Sequence, residues 1–303
     1  MILCNQPILS LLISVLATML TFATPITLGA LGGLACERSG VVNIAIEGMM
    51  LSGAFGGYWA AVTFHSLWIA VLVAVLVGGL MALLHGMLSI TFKVDQIISG
   101  TVINILGFGI TSYLFGQWYS SGTTETPGTL SGISIPGTNV SVPLLALVAV
   151  GLVFVAHLVL NYTPWGLRVR AVGEHPEAAD TLGINVRSVR YRAVLIGGLL
   201  AGLGGASYVP GYVPTFSTGM TAGAGFIALA ALIFGKWKPF GAWAAALFFG
   251  LTLSIQNNLQ SCGVTNGPVA VGIVGMLPYI ATLLVLAGFV GRSTPPAADG
   301  VPY

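Results

Sequence analysis

The chain has 303 residues, 56% of them hydrophobic and only 6% charged, with ten Lys and Arg set against eight Asp and Glu for a net charge of +2. A soluble domain carries about 25% charged residues to wet its surface, and the mean hydropathy of +0.96 points the same way. These figures exclude a soluble enzyme and a disordered chain; with no basic stripe interleaved with aromatics they also exclude a nucleic-acid binder, and they leave an integral membrane protein.

The first ten residues contain no Lys or Arg, so the apolar start lacks the basic region of a cleaved signal and reads as a retained span. A helix needs roughly 20 apolar residues to cross the hydrocarbon core, and the chain offers nine such stretches. They are 8–36 (with Pro25 inside), 44–63, 67–92, 97–118, 142–162, 193–213, 215–235, 240–259 and 268–290. The first stretch is one kinked helix or two short ones, so the expectation is an all-α polytopic bundle of about nine spans, within eight to ten. Cys4, Cys36 and Cys262 lie far apart without a C-x-x-C pair and read as small apolar residues.

Two longer polar stretches interrupt the pattern. Residues 120–141 are rich in Ser, Thr, Gly and Pro, with Glu125 as their only charge, while residues 163–192 hold five of the seven arginines. Cytoplasmic loops retain Lys and Arg. Placing 163–192 inside and alternating the spans puts Arg38, Lys93, Lys236, Lys238 and Arg292 inside too, which predicts an external N-terminus and a cytoplasmic C-terminus; two helices in the first stretch would move the N-terminus inside. Residues 293–303 read as a flexible tail. A glycine-laced segment (28–34), a polar stretch (37–43) and a small-residue helix (46–57) recur in kind at 198–205, 210–219 and 222–235. The copies start five spans apart and so would be inverted, the arrangement that marks a central transport pathway, although Gly and Ala are common in any packed membrane bundle.

No catalytic constellation is present. His65, His85, His157 and His175 form no H-E-x-x-H pair, no G-x-S-x-G elbow occurs, and Gly235–Lys236 lacks the rest of a phosphate-binding loop. The expectation is no catalytic residue, no metal and no cofactor in this chain. Glu47 is the one acid inside a predicted span, and intramembrane acids point to function by default; it either lines a pathway or is a structural acid tied to Asn43, a backbone amide or Arg38. Asn104 and the group Gln256, Asn257, Asn258 and Gln260 offer amide donors and acceptors that suit an uncharged polar ligand, and serve equally as interhelical hydrogen-bond glue. Phe108, Tyr113, Phe226 and Trp243 are candidates to stack on a ring, whereas Trp68, Trp118, Tyr119, Trp165 and Trp237 read as interfacial belt residues. The candidate substrate pathway is Asn43, Glu47, Asn104, Phe108, Phe226, Gln256 and Asn257.

Residues 170–183, RAVGEHPEAADTLG, predict a two-turn helix across the basic loop. Pro176 suits a first turn, Glu177 and Asp180 favour the N-terminal half, and Gly183 can close the helix in a left-handed conformation. Ala178 and Ala179 give it a slim face that can enter a partner's groove, and the flanking arginines can pair with a partner's acids or with lipid headgroups.

Four segments carry a family resemblance: GALGGLACERSGVVNIAIEGMMLSGAF (29–55), DQIISGTVINILGFGITSYL (95–114), AVGEHPEAADTLGIN (171–185) and GFIALAALIFGKWKPFGAW (225–243). In order along nearly the whole chain, they resemble the permease subunits of bacterial ATP-binding cassette importers of the ribose and branched-chain amino-acid type, and among these the permeases of nucleoside uptake systems. The resemblance implies a single transmembrane permease domain over residues 1–303, in a bacterial plasma membrane. It implies a second permease, identical or not, a separate ATPase pair that uses ATP and Mg, and an extracytoplasmic substrate-binding protein. The coupling helix of the family would then be built from Arg170, Glu174, Pro176, Glu177, Ala178, Ala179, Asp180 and Gly183 here. The solute implied is small and polar, a nucleoside first and a simple sugar next, moved by alternating access. An ion-coupled secondary transporter is the alternative and would need a relay in which only Glu47 is well placed; a membrane enzyme would need a reactive cluster, and none is visible.

Overall fold

The computed structural model describes residues 8–119, 126–134, 141–261, 268–278, 280–281, 283 and 293–303. Cys4, Glu125, Cys262, Arg292 and the last part of the expected span at 268–290 lie outside the described residues. Within them the chain forms α1 (Ile8–Glu37), α2 (Ile46–Phe64), α3 (Leu67–Gly86), α4 (Gln96–Trp118), α5 (Leu144–Tyr162), α6 (Pro164–Glu174), α7 (Pro176–Thr181), α8 (Val186–Ala206), α9 (Ala224–Phe234), α10 (Pro239–Ser261) and α11 (Pro268–Gly275). One two-stranded ribbon, β1 (Ile133–Ser134) antiparallel to β2 (Ser141–Val142), is added to the expected all-α class.

The first stretch is one continuous 30-residue helix with Pro25 inside it, which settles the choice between one helix and two. Thr21 and Thr24 turn their hydroxyls back onto the carbonyls of Ala17 and Leu20, so these side chains bring no unpaired polar atom into an apolar setting.

Six helices among the described residues are long and apolar enough to cross a membrane: Leu12–Glu37, Leu67–Thr91, Gln96–Trp118, Leu144–Tyr162, Val186–Tyr212 and Pro239–Gln260. The nine expected spans include two that differ in kind. The stretch 44–63 becomes α2, whose 19 residues are mostly small or polar and of which 14 are buried; a helix enclosed by other helices has no lipid-facing side to make apolar. The stretch 215–235 yields only the 11-residue α9, about 17 Å long at 1.5 Å per residue and short of the ~30 Å core. It is preceded by turns in which Gly219, Ala222 and Gly223 take positive φ. The recurrence noted in the sequence has its counterpart in element order: α1, a break and α2 in one copy, α8, a break and α9 in the other.

The bundle is organised around α8, which packs against α1, α2 and α3. Its glycines make this possible. A Cβ on Gly197 would strike the Gly32 carbonyl of α1, and one on Gly78 of α3 would lie 2.5 Å from both Gly198 O and Gly202 Cα. Close backbone approach through small residues gives helices in lipid the dispersion contact that apolar lipid cannot drive by exclusion. α8 also begins two turns before its expected start, because Asn185 caps it by accepting the Ser188 amide at 2.8 Å.

Candidate functional site

The chain between α1 and α2 leaves helical geometry at the heart of the bundle, where every exposed backbone group needs a partner. Side chains from α3 and α4 supply them. Gln96 Oε1 accepts the Val42 amide at 2.6 Å, and His85 Nε2 donates to Val42 O at 3.1 Å. Because a carbonyl only accepts, that bond places the His85 proton on Nε2 and leaves Nδ1 to accept from Ser99 Oγ at 2.9 Å. Asn104 uses both ends of its amide: Nδ2 donates to Ile44 O at 2.9 Å and Oδ1 accepts the Gly48 amide at 2.8 Å. Asn43 is fully buried; its Oδ1 accepts the Ala45 amide, and its Nδ2 faces Cys36 Sγ. The middle of the motif ERSGVVNIAIEG, residues 38–45, is therefore an unwound segment held open by a polar clamp.

Glu47 stands one turn further on, in the first turn of α2. Its Oε1 accepts from Thr221 Oγ1 at 2.6 Å and from the Gly223 amide at 2.9 Å, and its Oε2 accepts the Gly225 amide at 2.7 Å. A carboxylate over the free amides of a helix start satisfies donors that have no intrahelical partner and complements the positive end of the dipole. Of the partners considered from sequence, the backbone amide is the one observed; neither Asn43 nor Arg38 holds Glu47. Gly225 lies so close to the Glu47 backbone that a Cβ there would clash with it.

Phe108 of α4 and Phe226 of α9 flank the same region. Phe108 faces Gly219, Phe226 lies beside Gly223, and the two rings are 51% and 49% exposed. Ser217 and Thr218, exposed on the segment before α9, were not among the sequence candidates. Asn43, Glu47, Asn104, Phe108 and Phe226 thus converge on the start of α2. Gln256 and Asn257 sit elsewhere, toward the end of α10, whose Ser254 donates to Val15 O of α1 at 2.8 Å and whose Asn258 donates to Ser254 O.

A second acid, Glu37, escaped the sequence reading because the expected span ended at Cys36. It is 3% exposed and takes the Trp237 indole N–H at 2.6 Å. Arg38 donates from Nε and Nη2 to Trp237 O at 2.9 and 2.7 Å. Trp237, expected in an interfacial belt, is instead buried in the turn before α10 and held at both its polar ends; Trp68 and Trp118 stay 63% and 53% exposed. The adjacent Glu–Arg and the isolated Trp were visible in the sequence, but nothing local pairs them.

The basic segment holds two helices rather than one. α6 is capped by Thr163, which accepts the Gly166 amide, with Pro164 at its start. α7 begins at Pro176 and ends as expected: Gly183 takes φ +80° and donates to Asp180 O, while Ile184 N reaches Ala179 O. Only one alanine of the pair is presented, since Ala178 is exposed whereas Ala179 is buried. Glu177 and Asp180 are exposed as well, and Leu182, passed over in the sequence, projects with 81% of its surface free. Arg170 and Glu174 face other neighbours: Arg170 lines a cavity with Arg38, and Glu174 Oε2 accepts the Ala297 amide. The segment 293–303, read as a flexible tail, lies against α6 and α8. Ala298 N donates to Gly173 O, Arg190 Nη1 donates to Val301 O at 2.9 Å, and the Arg190 guanidinium lies 5.9 Å from the Tyr303 ring centre. Burial pushes the Asp299 carboxyl up to about 7, against the opposing pull of Arg190.

The family model for the permease component of branched-chain amino acid transport systems matches residues 15–287. The chain is 41% identical to the guanosine ABC transporter permease protein NupQ of Bacillus subtilis, over 98% of both chains. It is 39% identical to the nucleoside ABC transporter permease protein NupC of Lactococcus lactis, over 95% of this chain and 96% of that one. To a putative glucose ABC transporter permease protein of Haloferax volcanii, TsgC13, it is 35% identical over 89% of this chain and 90% of that one. An unwound segment clamped inside a bundle of membrane-length helices, a short helix presented from the basic loop, and a family match over most of its length agree: the chain belongs to the branched-chain amino acid transport permease family and is a multi-pass membrane permease subunit of an ABC transporter, with ATP hydrolysis left to a separate subunit.

Proposed function

We propose that this permease is one of two unlike membrane subunits of an importer that carries a nucleoside across a bacterial plasma membrane by alternating access, with a simple sugar as the next candidate solute. The relatives support two unlike subunits. Bacillus subtilis has a second guanosine permease, NupP, 26% identical to this chain, and Lactococcus lactis a second nucleoside permease, NupB, 23% identical. In both systems the chain is distinctly nearer to one permease than to the other, so its own partner is a chain of the second kind. A cytoplasmic ATPase pair using ATP and Mg and an extracytoplasmic binding protein complete the assembly in this reading.

The observation that carries the solute class is two half-exposed rings, Phe108 against Gly219 and Phe226 beside Gly223, both glycines belonging to the stretch between α8 and α9 that also carries the exposed Ser217 and Thr218. A nucleoside offers a flat base to stack and ribose hydroxyls to hydrogen-bond. In this reading Glu47 and Asn104 hold the two helix breaks that frame the pathway, and Gln256 and Asn257 line it further along. Asn43 sits behind the frame. α7 with Leu182 enters the ATPase, whose closure on ATP moves the bundle. In this reading the C-terminus lies in the cytoplasm; the contact of residues 297–301 with α6 and α8 supports this by setting the C-terminus on the same side as the basic segment.

The test is uptake by the reconstituted complex of permeases, ATPase and binding protein. ATP-dependent uptake of labelled guanosine or uridine, competed by other nucleosides and lowered by Phe108→Ala or Phe226→Ala through KM, is the expected result. Uptake of glucose but of no nucleoside would overturn the solute class, and ATP-independent uptake collapsed by an ionophore would favour the ion-coupled alternative.

A further inference from the structure

Where the end of α5, α6, the turn after α1 and the first turn of α10 meet, they enclose a cavity of about 450 Å³. Arg38, Arg170 and Lys238 line it with His157 and Asn161, and no carboxylate is among its lining residues. Like charges gathered around one space repel, and an anion between them turns that cost into attraction. The arginines are prepared for one. Arg38 is fixed by its two bonds to Trp237 O, which leaves Nη1 to a further acceptor, and Arg170 holds a buried Nε without a hydrogen-bond partner. Glu174 acts on Arg38 through its charge without lining the cavity, and its Oε2 is engaged by the Ala297 amide.

The walls of the cavity say which anion. Phe240 lines it and packs edge-on against Phe154, with ring centres 5.2 Å apart, and Phe154 is 50% exposed. Phe154 sits eight residues before the end of α5, about 12 Å further into the bundle. The site is therefore basic at the helix ends and apolar along the membrane-facing side, the profile of a headgroup with its acyl chain rather than of a free ion. Planar guanidinium groups suit phosphate oxygens, and basic pockets between helices at the cytoplasmic surface suit anionic lipid headgroups.

We propose that this cavity binds the phosphate of an anionic phospholipid of the inner leaflet, with Arg38, Arg170 and Lys238 on the headgroup and the Phe154–Phe240 pair against the chain. The binding ties α5, α6 and α10 together.

The test is native mass spectrometry of the purified full-length permease titrated with phosphatidylglycerol, with phosphatidylcholine and, separately, with glycerol 3-phosphate. Phosphatidylglycerol binding is expected to weaken about fivefold in K238Q and about thirtyfold in R170Q/K238Q, the factors set by one basic residue at an anionic surface. K238R restores it, and phosphatidylcholine is retained equally by all. Lys238 is exposed, so the charge reversal K238E gives a reading even if the double variant does not fold. Equal phosphatidylglycerol retention by wild type and K238E overturns the site; binding of glycerol 3-phosphate as tight as that of the lipid, with the same sensitivity to K238Q, overturns the lipid as its occupant in favour of a soluble phosphate.

Discussion

The Glu47 carboxylate of α2 accepts the Gly225 amide of α9 at 2.7 Å, joining the starts of two helices that lie 178 residues apart in the chain. Glu47→Gln keeps the shape but removes the charge and turns one acceptor into a donor facing an amide. The expected cost is about 1–3 kcal/mol, the scale of a buried donor left unsatisfied. It should be seen as a lowered unfolding temperature and less folded permease, with KM for the solute unchanged in what remains. A changed KM at wild-type stability would instead make Glu47 a residue that touches solute.

Asn104 works by the same logic on the other break. Asn104→Ala leaves Ile44 O and Gly48 N without their partners, each worth about 1–3 kcal/mol when buried. Asn104→Asp keeps the acceptor for Gly48 but sets a charged oxygen against Ile44 O in place of the donor, and a buried unpaired charge is costly, so its loss of thermal stability should be the larger of the two. The reverse order would show that the introduced carboxyl is protonated and donates to Ile44 O in place of the amide.

Helix contact at α8 predicts opposite results for two glycine-to-alanine changes. Gly78→Ala places a methyl 2.5 Å from Gly198 O and Gly202 Cα, where backbone must move, at a cost of about 1–3 kcal/mol. Gly109→Ala in α4 meets nothing within 4 Å and gains helix propensity of about 1 kcal/mol. Thermal unfolding in detergent should fall for the first variant and hold or rise for the second.

On the face of α7 proposed to enter the ATPase, Ala178→Trp, Glu177→Arg and Leu182→Glu change exposed positions. Each should abolish ATP-driven uptake while expression and unfolding temperature stay near wild type. Ala179→Trp, at a buried position, should fail at folding instead. Wild-type uptake in the first three would remove the coupling role from this helix.

Docking of the C-terminal segment should depend on pH through Asp299. Its carboxyl is raised from 3.8 to about 7, so the docked segment favours the protonated form. Docking is therefore strongest below about pH 4 and weakens as pH rises through 7. Arg190 of α8 opposes the shift, while Glu37 of α1 is the acid coupled to Asp299. Hydrogen exchange at the Ala298 and Val301 amides, corrected for intrinsic rates, should show less protection at pH 8 than at pH 6, and Asp299→Asn should flatten that dependence. Equal protection at both pH values in the wild type would detach docking from Asp299.

What the sequence determined on its own is the solvent, the class and the basic segment. Hydropathy reports which side chains face lipid, so α4 and α5 were located to within a residue or two, and local chemistry alone placed Pro176 and Gly183 at the ends of α7. Hydropathy says less where a helix never meets lipid: α2 lies within two residues of its expected stretch although it is buried, whereas the stretch 215–235 yields only the short α9. The tertiary structure decided the rest because the deciding bonds are long-range. Glu47 meets the start of α9, Glu37 and Arg38 meet Trp237 some 200 residues on, and Arg190 meets Val301 after 111 residues. A buried polar atom takes its meaning from the partner that satisfies it, and only the folded chain brings that partner within reach.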